Sequence, residues 1–395
     1  MIDPKHRKIS CLNNIAKIGL DKFRKGYEII DNPDDSAGIL LRSADILGME
    51  FHDGLRAIAR AGAGVNNIPI EKCSEKGIVV FNTPGANANS VKELVIAGLL
   101  LASRDIFGGL EWVKENSKNP DISKLTEKAK KNFSGHEIYN RTLGVIGLGA
   151  IGVRVANAAI ALGMNVLGYD PYLSVKSAWM LSPMIKHAET VEELYSVSDF
   201  ITLHVPAVEA TKHMINSEAI SKMKPGIKIM NFARDLLVDE NALSDALKSG
   251  KVTKYISDFP NKISAQLPNA IVLPHLGAST EEAEDNCAIM AVEQLQDYLD
   301  NGNITNSVNY PELNAGKCET EARVAILHRN IPNMLSQITS FFGNNNLNIE
   351  NLLNKARGAY AYTLLDISHA MPVDTVERLK EIEGVLRVRR VFENL

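Results

Sequence analysis

The sequence predicts an α/β fold with two doubly wound parallel-sheet domains, followed by a smaller ferredoxin-like α+β domain. Short, continuous apolar runs alternate with helical stretches over most of the chain, which is the pattern of parallel strands covered by helices on both faces. A glycine-rich turn lies between one such strand and a helix of small residues. At 395 residues, the chain is also too long for a single hydrophobic core, so several domains are expected.

Two regions carry the parallel-strand pattern. The first has apolar runs at 37–41, 57–59 and 77–81, followed by predicted helices at about 90–104 and 111–115. The second restarts at Thr142, with predicted strands at 143–146, 165–169, 200–204 and 227–232 and a helix at 151–163. A long predicted helix at 281–299 leads away from the second sheet. We therefore expect the chain to return to the first domain, which becomes discontinuous.

The last part of the chain has a different pattern. Its predicted strands, with helices near Met334 and Thr375, have the order of a split β-α-β unit and lie at 323–327, 349–356, 359–367 and 385–391. The polar stretch 310–321 predicts a linker. The predicted domains are therefore 1–93 together with 281–309, then 94–280, and finally 322–395 after the linker.

Composition and charge argue against several classes of function. The 47 acidic and 43 basic residues give a formal net charge of -4, which argues against nucleic acid or an anionic membrane as a partner. The longest apolar run, at 94–102, is too short to span a bilayer. Four scattered cysteines without a CxxC pair predict neither a disulfide framework nor a metal site. Because no secretory signal is visible, we expect the chain to be cytoplasmic.

The glycine-rich turn, GLGAIG at 147–152, predicts a dinucleotide site. Gly147 permits a tight turn, Gly149 lets the backbone approach a pyrophosphate, and Gly152 lets the helix pack closely on the strand. The first turn of the helix, which includes Ala150 and Ile151, presents amide N–H groups to the phosphates.

Asp170 ends the next predicted strand, about twenty residues further on, as dinucleotide sites of this kind require. A carboxylate at this point can accept hydrogen bonds from both ribose hydroxyls, and it would repel a 2′-phosphate. The sequence therefore predicts NAD, in preference to NADP, as the cofactor.

Two side chains supply the groups that hydride transfer to a 2-oxo acid needs, a cation for the carboxylate and an acid for the new alkoxide. Arg234 follows one predicted strand and offers a bidentate guanidinium. His275 follows another, and an imidazole titrates near neutral pH. Both lie at carboxyl ends of predicted strands, where open α/β sheets bind their ligands.

Several motifs resemble those of the D-2-hydroxyacid dehydrogenases, a family with two Rossmann-like domains. The motifs are NFAR at 231–234, VDENAL at 238–243, PHLGAST at 274–280, NTPG at 82–85 and the segment 144–170. The resemblance extends to about Pro311. It implies that the discontinuous first domain binds the substrate and that the second domain binds NAD.

The resemblance also implies roles for single residues. Arg234 would hold the carboxylate and hydroxyl of the substrate, His275 would be the general acid/base, and Asp258 would orient the nicotinamide amide. Further cofactor contacts implied in this way are His204, Val205, Pro206, Thr211, Ala233 and Gly277.

The implied substrate contacts lie in the first domain. They are the backbone amides around Ala63 and Gly64, together with Asn87. Arg42 and Arg60 suit a phosphate-bearing substrate, but each could equally be a strand-end charge that serves the structure.

The chain departs from the family pattern beside the histidine. The family couples its histidine to a glutamate about five residues after the aspartate that aligns with Asp258, and that position holds Ile263. Because a carboxylate beside an imidazole stabilises the imidazolium, its loss should make His275 a weaker base. Either Glu209 or Asp235 substitutes for the glutamate, or the enzyme works with a two-residue site. We expect activity with a displaced pH–rate profile.

Residues 322–395 resemble an ACT domain, a small ligand-sensing module, through the motif HRNIPNML at 328–335 followed by LNI at 347–349. The resemblance implies that His328, Asn330 and Asn348 are candidates for binding a serine effector. The alternative is a module that only dimerises. Pairing through the nucleotide domain and through ACT modules would give a homodimer or a homotetramer.

The sequence thus predicts an NAD-dependent dehydrogenase of a phosphorylated 2-hydroxy acid. The alternatives are a dehydrogenase of another 2-hydroxy acid, such as glycerate or lactate, and a non-catalytic NAD-sensing protein on the same fold. The presence of both Arg234 and His275 argues against the last alternative.

Overall fold

The computed structural model describes residues 7–372 and 374–393. They form two compact units, one with the chain up to Asn87 and from Glu281 on, the other with Ala88–Thr280. The division thus falls before the predicted position at 93/94, because Ala88–Ser103 is one helix whose buried face belongs to the second unit. Within the described residues, no helix is long and apolar enough to cross a membrane, and no group of His, Cys, Asp or Glu could hold a metal ion.

The first unit begins with a five-stranded parallel sheet in the order β2-β1-β3-β4-β5. Its elements are β1 (Lys8–Cys11), α1 (Lys17–Leu20), β2 (Glu28–Ile30), β3 (Gly38–Leu41), β4 (Ala57–Arg60), α2 (Ile70–Glu75) and β5 (Val79–Phe81). Strands β3 and β5 lie within predicted apolar runs, and β4 extends one residue beyond the run at 57–59. The sequence does not predict β1 and β2, because these short strands contain too few apolar residues to form a pattern.

The second unit contains a seven-stranded parallel sheet in the order β12-β11-β10-β9-β6-β7-β8. Its helices are α3 (Ala88–Ser103), α4 (Ile106–Glu115), α5 (Ile122–Ala129), α6 (Ala150–Ala161), α7 (Val175–Met180), α8 (Val191–Val197), α9 (Ser217–Lys222) and α10 (Glu240–Lys248). Its strands are β6 (Thr142–Ile146), β7 (Asn165–Tyr169), β8 (Lys186–His187), β9 (Phe200–Leu203), β10 (Ile227–Asn231), β11 (Val252–Ser257) and β12 (Ala270–Val272). The strand order reverses between β6 and β9, and ligands of such sheets bind at the carboxyl ends beside that point.

The first unit resumes with α11 (Glu281–Asn301), whose buried face packs on β3, β4 and β5. An antiparallel sheet follows in the order β14-β15-β13-β16. Its elements are β13 (Ala322–Arg329), α12 (Met334–Asn344), β14 (Ile349–Arg357), β15 (Tyr360–Ile367), α13 (Thr375–Lys380) and β16 (Val385–Glu393). This is the predicted ferredoxin-like order, with α12 and α13 packed on one face of the sheet.

The other face of the antiparallel sheet is buried within the same unit. Leu327, Tyr362 and Leu364 share an apolar core with Tyr298 and Leu299 of α11. The C-terminal module therefore packs as part of the first unit and is not a separate body on a solvated linker.

The segment predicted as a linker, 310–321, is itself partly buried. Tyr310 and Leu313 have almost no exposed surface, and Leu313 pairs with Ile304 in an isolated β-bridge. Because the segment is mostly polar, its sequence gives no sign that Tyr310 and Leu313 are buried. The structure therefore differs here from the solvated linker that the sequence predicts.

A buried ion pair ties the antiparallel sheet to the preceding chain. Arg323, on β13, has no exposed surface and donates to both carboxylate oxygens of Asp366 on β15, at 2.5 and 2.8 Å. Its guanidinium also donates to the carbonyl oxygens of Asn301 and Gly316, at 3.0 and 2.6 Å. The pair thus joins two strands to the end of α11 and to the segment that follows it.

Replacement of Asp366 by alanine should lower the free energy of unfolding by about 3–5 kcal/mol, because the Arg323 guanidinium would stay buried without its counter-charge. Urea denaturation followed by circular dichroism measures the change. The matched control is Asp21→Ala, which removes the exposed ion pair with Lys17 and should cost less than about 1 kcal/mol. Equal losses in the two variants would contradict the role given to Arg323.

Candidate functional site

The glycine-rich turn lies between β6 and α6, at the carboxyl edge of the second sheet. Gly147 has a φ of +90°, and a Cβ atom there would lie 2.6 Å from the carbonyl oxygen of His204. A Cβ atom at Gly152 would lie 1.9 Å from the carbonyl oxygen of Gly147. By contrast, a Cβ atom at Gly149 would meet nothing within 4 Å. The fold therefore requires glycine at 147 and 152, whereas Gly149 leaves open space that a pyrophosphate fits.

Asp170 follows β7 beside this turn. One of its carboxylate oxygens accepts a hydrogen bond from the Leu148 amide and the other from the Tyr172 amide, both at 2.8 Å. These two bonds hold the carboxylate at the edge of the turn. Together with the amides of Ala150 and Ile151 at the start of α6, it provides the groups that a dinucleotide needs.

The segment after β9 borders the same turn. Burial lowers the pKa of His204 to about 3, so its ring is neutral and shares a hydrogen bond with the Thr202 hydroxyl at 2.9 Å. The Thr211 hydroxyl donates to the carbonyl oxygen of Pro206 at 2.6 Å. A Cβ atom at Gly147 would lie 2.9 Å from the side chain of Val205. These predicted cofactor residues thus lie in one loop that is held by its own hydrogen bonds.

Arg234 follows β10, and a single amide side chain fixes its backbone. The buried Asn231 accepts hydrogen bonds from the amides of Ala233 and Arg234, at 3.1 and 3.3 Å. It also donates to the Arg234 carbonyl oxygen at 2.7 Å. Asn231 lies in a motif that the sequence analysis identifies, but its spacing gives no sign of this positioning role.

Asp258 follows β11, and its carboxylate is buried. Oδ2 accepts a hydrogen bond from the Gly277 amide at 2.8 Å, whereas Oδ1 has no partner among the described residues. Burial raises the pKa of Asp258, against the opposing effects of the Gly277 N–H and of the charges of His275 and Arg234. Because an unpaired buried oxygen is costly, the position fits a donor on a ligand, such as the amide of a nicotinamide.

His275 and Arg234 lie against the same aromatic ring. The ring of His275 lies 4.8 Å from the Phe259 ring, measured between centroids. The guanidinium carbon of Arg234 lies 5.8 Å from the Phe259 centroid. The structure therefore brings together the two side chains that the sequence predicts for hydride chemistry, around a phenylalanine that the sequence analysis does not single out.

The structure places no carboxylate of the described residues in hydrogen-bond contact with the His275 ring. Ile263, at the position of the family glutamate, is 47% exposed. Glu209 and Asp235 are both exposed, and Asp235 accepts a hydrogen bond from the Leu236 amide. The geometry therefore does not support either acid as a substitute for the glutamate.

The two arginines predicted to bind substrate phosphate belong to the first unit. Arg42, after β3, forms an ion pair with Glu284 of α11 at 2.6 Å. Arg60 ends β4 and donates to the carbonyl oxygens of Arg42 and Gly64, at 3.0 and 2.5 Å. Both side chains therefore brace the loops at the carboxyl ends of these strands.

The predicted amide contacts lie in the loop that Arg60 braces. Neither the Ala63 amide nor the Gly64 amide donates a hydrogen bond within the part of the chain that the structure describes. The Ala63 carbonyl accepts one from Asn82 at 2.6 Å. Asn87, the last residue of the first unit before the second unit begins, is half-buried. The loop thus presents two backbone donors, as substrate binding would require.

The predicted effector residues differ in how accessible they are. His328 is buried on β13, and its ring nitrogens contact the Arg329 carbonyl and the Thr363 hydroxyl, each at 2.8 Å. Burial lowers its pKa. Both faces of β13 are covered by other residues, so His328 does not face solvent as an effector ligand would. Asn330 and Asn348 are exposed.

A curated relative from Haemophilus influenzae, named D-3-phosphoglycerate dehydrogenase, is 30% identical over 401 residues, which cover 97% of this chain and 94% of the relative. The model described as "D-isomer specific 2-hydroxyacid dehydrogenase, NAD binding domain" matches residues 96–277. The chain belongs to the D-isomer specific 2-hydroxyacid dehydrogenase family. The resemblance of the motifs is thereby confirmed, as is NAD as the cofactor.

Two other members of this family illustrate the range of lengths. A D-3-phosphoglycerate dehydrogenase from Methanocaldococcus jannaschii is 36% identical over 83% of this chain, which spans 63% of that relative's length. The crystal structure of an NAD+-bound 3-phosphoglycerate dehydrogenase from Entamoeba histolytica is 28% identical, with a TM-score of 0.61. The match covers 78% of this chain and 99% of the chain from Entamoeba histolytica.

Replacement of Gly149 by alanine should weaken NADH binding at least about tenfold (~1.4 kcal/mol), because the new methyl group occupies the space beside the pyrophosphate. The melting temperature should not change, since this Cβ position is open and the φ of -75° suits alanine. Fluorescence titration with NADH measures the affinity.

The matched control is Gly48→Ala, where a Cβ atom also meets nothing within 4 Å. This variant should bind NADH as the parent protein does. Unchanged affinity in Gly149→Ala would show that the turn does not hold the cofactor.

Proposed function

We propose that this chain is an NAD-dependent dehydrogenase that interconverts D-3-phosphoglycerate and 3-phosphohydroxypyruvate, the first step of serine biosynthesis. The observation that carries the proposal is the convergence of Arg234 and His275 on the Phe259 ring, next to the buried carboxylate of Asp258. A guanidinium and an imidazole at one place are the groups that reduction of a 2-oxo acid needs.

Three residues of the chain have separate roles in the reduction of a 2-oxo acid. Bound NADH supplies the hydride. Arg234 holds the carboxylate and the carbonyl oxygen of the 2-oxo acid through its bidentate guanidinium. His275, as the imidazolium, donates a proton to that oxygen as negative charge develops, and in the oxidation direction the neutral ring takes the proton back. Asp258, whose Oδ1 has no partner among the described residues, would hold the nicotinamide amide through that oxygen.

The choice of a phosphorylated substrate is supported by the names of the relatives from Haemophilus influenzae and Methanocaldococcus jannaschii. In that role, Arg42 and Arg60 would contribute positive charge near the amides of Ala63 and Gly64. A second candidate is an unphosphorylated 2-hydroxy acid. It is favoured by the engagement of Arg42 with Glu284 and of Arg60 with two backbone carbonyls.

Control by serine and assembly into homodimers or homotetramers remain further predictions. For serine, the exposed side chains of Asn330 and Asn348 are the remaining candidates, because both nitrogens of the His328 ring are already occupied.

NADH consumption should be fastest with 3-phosphohydroxypyruvate, with kcat/KM at least about tenfold above that for hydroxypyruvate and for pyruvate, since each tenfold step needs only ~1.4 kcal/mol of phosphate binding. Absorbance at the NADH band measures all three rates. Arg42→Gln should lower kcat/KM for the phosphorylated acid and leave the other two nearly unchanged.

The control for the last variant is Arg24→Gln, which removes another arginine that is paired with a carboxylate, Asp300. Higher kcat/KM with hydroxypyruvate or pyruvate would favour the second candidate. Failure to consume NADH with any of the three acids would contradict the dehydrogenase assignment and favour a non-catalytic NAD-binding protein.

A further inference from the structure

We propose that Phe259 is a positioning residue that holds the His275 ring in its orientation, in the place of a carboxylate. The inference rests on the proposed dehydrogenase function, because it assigns a role in the tuning of that reaction's acid/base group. The position of the family glutamate holds Ile263, so another residue must orient the histidine.

The backbone of Phe259 is fixed on both sides. Its amide donates to the hydroxyl of Ser257 at 3.1 Å, and its carbonyl oxygen accepts a hydrogen bond from the Ser264 hydroxyl at 3.2 Å. Ser257 is the last residue of β11 and is buried. The aromatic ring therefore projects from a backbone position that two hydrogen bonds fix, just after the end of β11.

The loop after Phe259 is closed by a second set of hydrogen bonds. Asn261 Oδ1 accepts from the amides of Ile263 and Ser264, both at 2.8 Å. Its Nδ2 donates to Glu240 at 2.8 Å. The same closure leaves the side chain of Ile263 nearly half exposed. The segment thus has no position for a carboxylate against His275, and Phe259 is the side chain that meets the ring.

One aromatic ring contacts both reactive groups. The His275 ring lies 4.8 Å away with an interplanar angle of 48°, and the Arg234 guanidinium carbon lies 5.8 Å from the same centroid. The face of an aromatic ring attracts a cation within about 6 Å. Phe259 therefore restricts the rotation of both side chains, without contributing a charge or a hydrogen bond.

The charge of Asp258 acts on His275, but its carboxylate makes no hydrogen bond to the imidazole. The carbonyl oxygen of Asp258 accepts the His275 amide at 2.9 Å, and its carboxylate Oδ2 accepts the Gly277 amide. Arg234 lies on the same Phe259 ring. Phe259 thus supplies a direct contact to the imidazole ring that the Asp258 carboxylate does not supply.

The test compares Phe259→Leu, which keeps apolar bulk and loses the ring face, with Phe259→Tyr, which keeps the face. The measurements are kcat and KM for the preferred 2-oxo acid from pH 5 to 9, NADH affinity and melting temperature. The control is Ile263→Ala, which alters an exposed apolar side chain of the same loop.

In Phe259→Leu, kcat should fall about tenfold as the imidazole loses its orientation, and KM should rise because Arg234 loses its support. NADH affinity should not change. Phe259→Tyr should restore both kcat and KM, and Ile263→Ala should match the parent enzyme.

A Phe259→Leu variant with the parent's kcat and KM would overturn the inference, and so would an equal loss in the leucine and tyrosine variants. Proton NMR adds a reading that does not depend on activity. The His275 ring resonances should move in Phe259→Leu through loss of the ring current, and unchanged resonances would show that the contact does not exist in solution. A parent protein that turns over no 2-oxo acid would refute the proposed function, whereas the NMR comparison would still test the contact.

Discussion

The buried carboxylate of Asp258 is the constraint on which the candidate site depends. Its Oδ2 holds the Gly277 amide and its backbone carbonyl holds the His275 amide, so the chain is pinned on both sides of the histidine. His275 itself has a φ of +43°, a conformation that costs a residue other than glycine about 1–3 kcal/mol. The bonds to Asp258 maintain this conformation, and with it the direction in which the imidazole leaves the backbone.

Burial of Asp258 is unfavourable by itself, since a carboxylate loses hydration and one of its oxygens has no partner within the described chain. A donor from a bound nicotinamide would satisfy that oxygen, which links cofactor binding to the rigidity of the segment that carries His275. The glycine turn works in a related way. Gly147 and Gly152 allow contacts that close the turn, whereas Gly149 keeps an open surface for the ligand. At both places the fold leaves open a contact that a bound cofactor would complete.

The parts of this account that follow from the sequence are those governed by local rules. The roles of Gly147, Gly149 and Gly152 follow from the steric demands of a turn between a strand and a helix, and the strands of both large sheets follow from continuous apolar runs. The order of the C-terminal strands is likewise predicted. The sequence does not predict strands β1 and β2, because their apolar residues are too few to form a pattern.

Other features depend on tertiary packing, which periodicity does not report. The burial of Tyr310 and Leu313 and the continuous core beneath the C-terminal sheet arise from contacts between distant segments. His328 fits a motif for effector binding, yet its ring is buried because other residues cover both faces of β13. The sequence shows that Ile263 replaces a glutamate but cannot show that Phe259 lies against His275, because this contact joins the ends of two different strands.

The most direct test of the central claim, that Arg234 and His275 carry hydride chemistry on a 2-oxo acid, is stopped-flow measurement of NADH oxidation in a single turnover by His275→Gln. The account predicts a rate about 10²–10⁴-fold below that of the parent enzyme, with unchanged NADH affinity, because the cofactor turn remains intact and only the proton donor is lost. A rate equal to that of the parent enzyme would contradict the account.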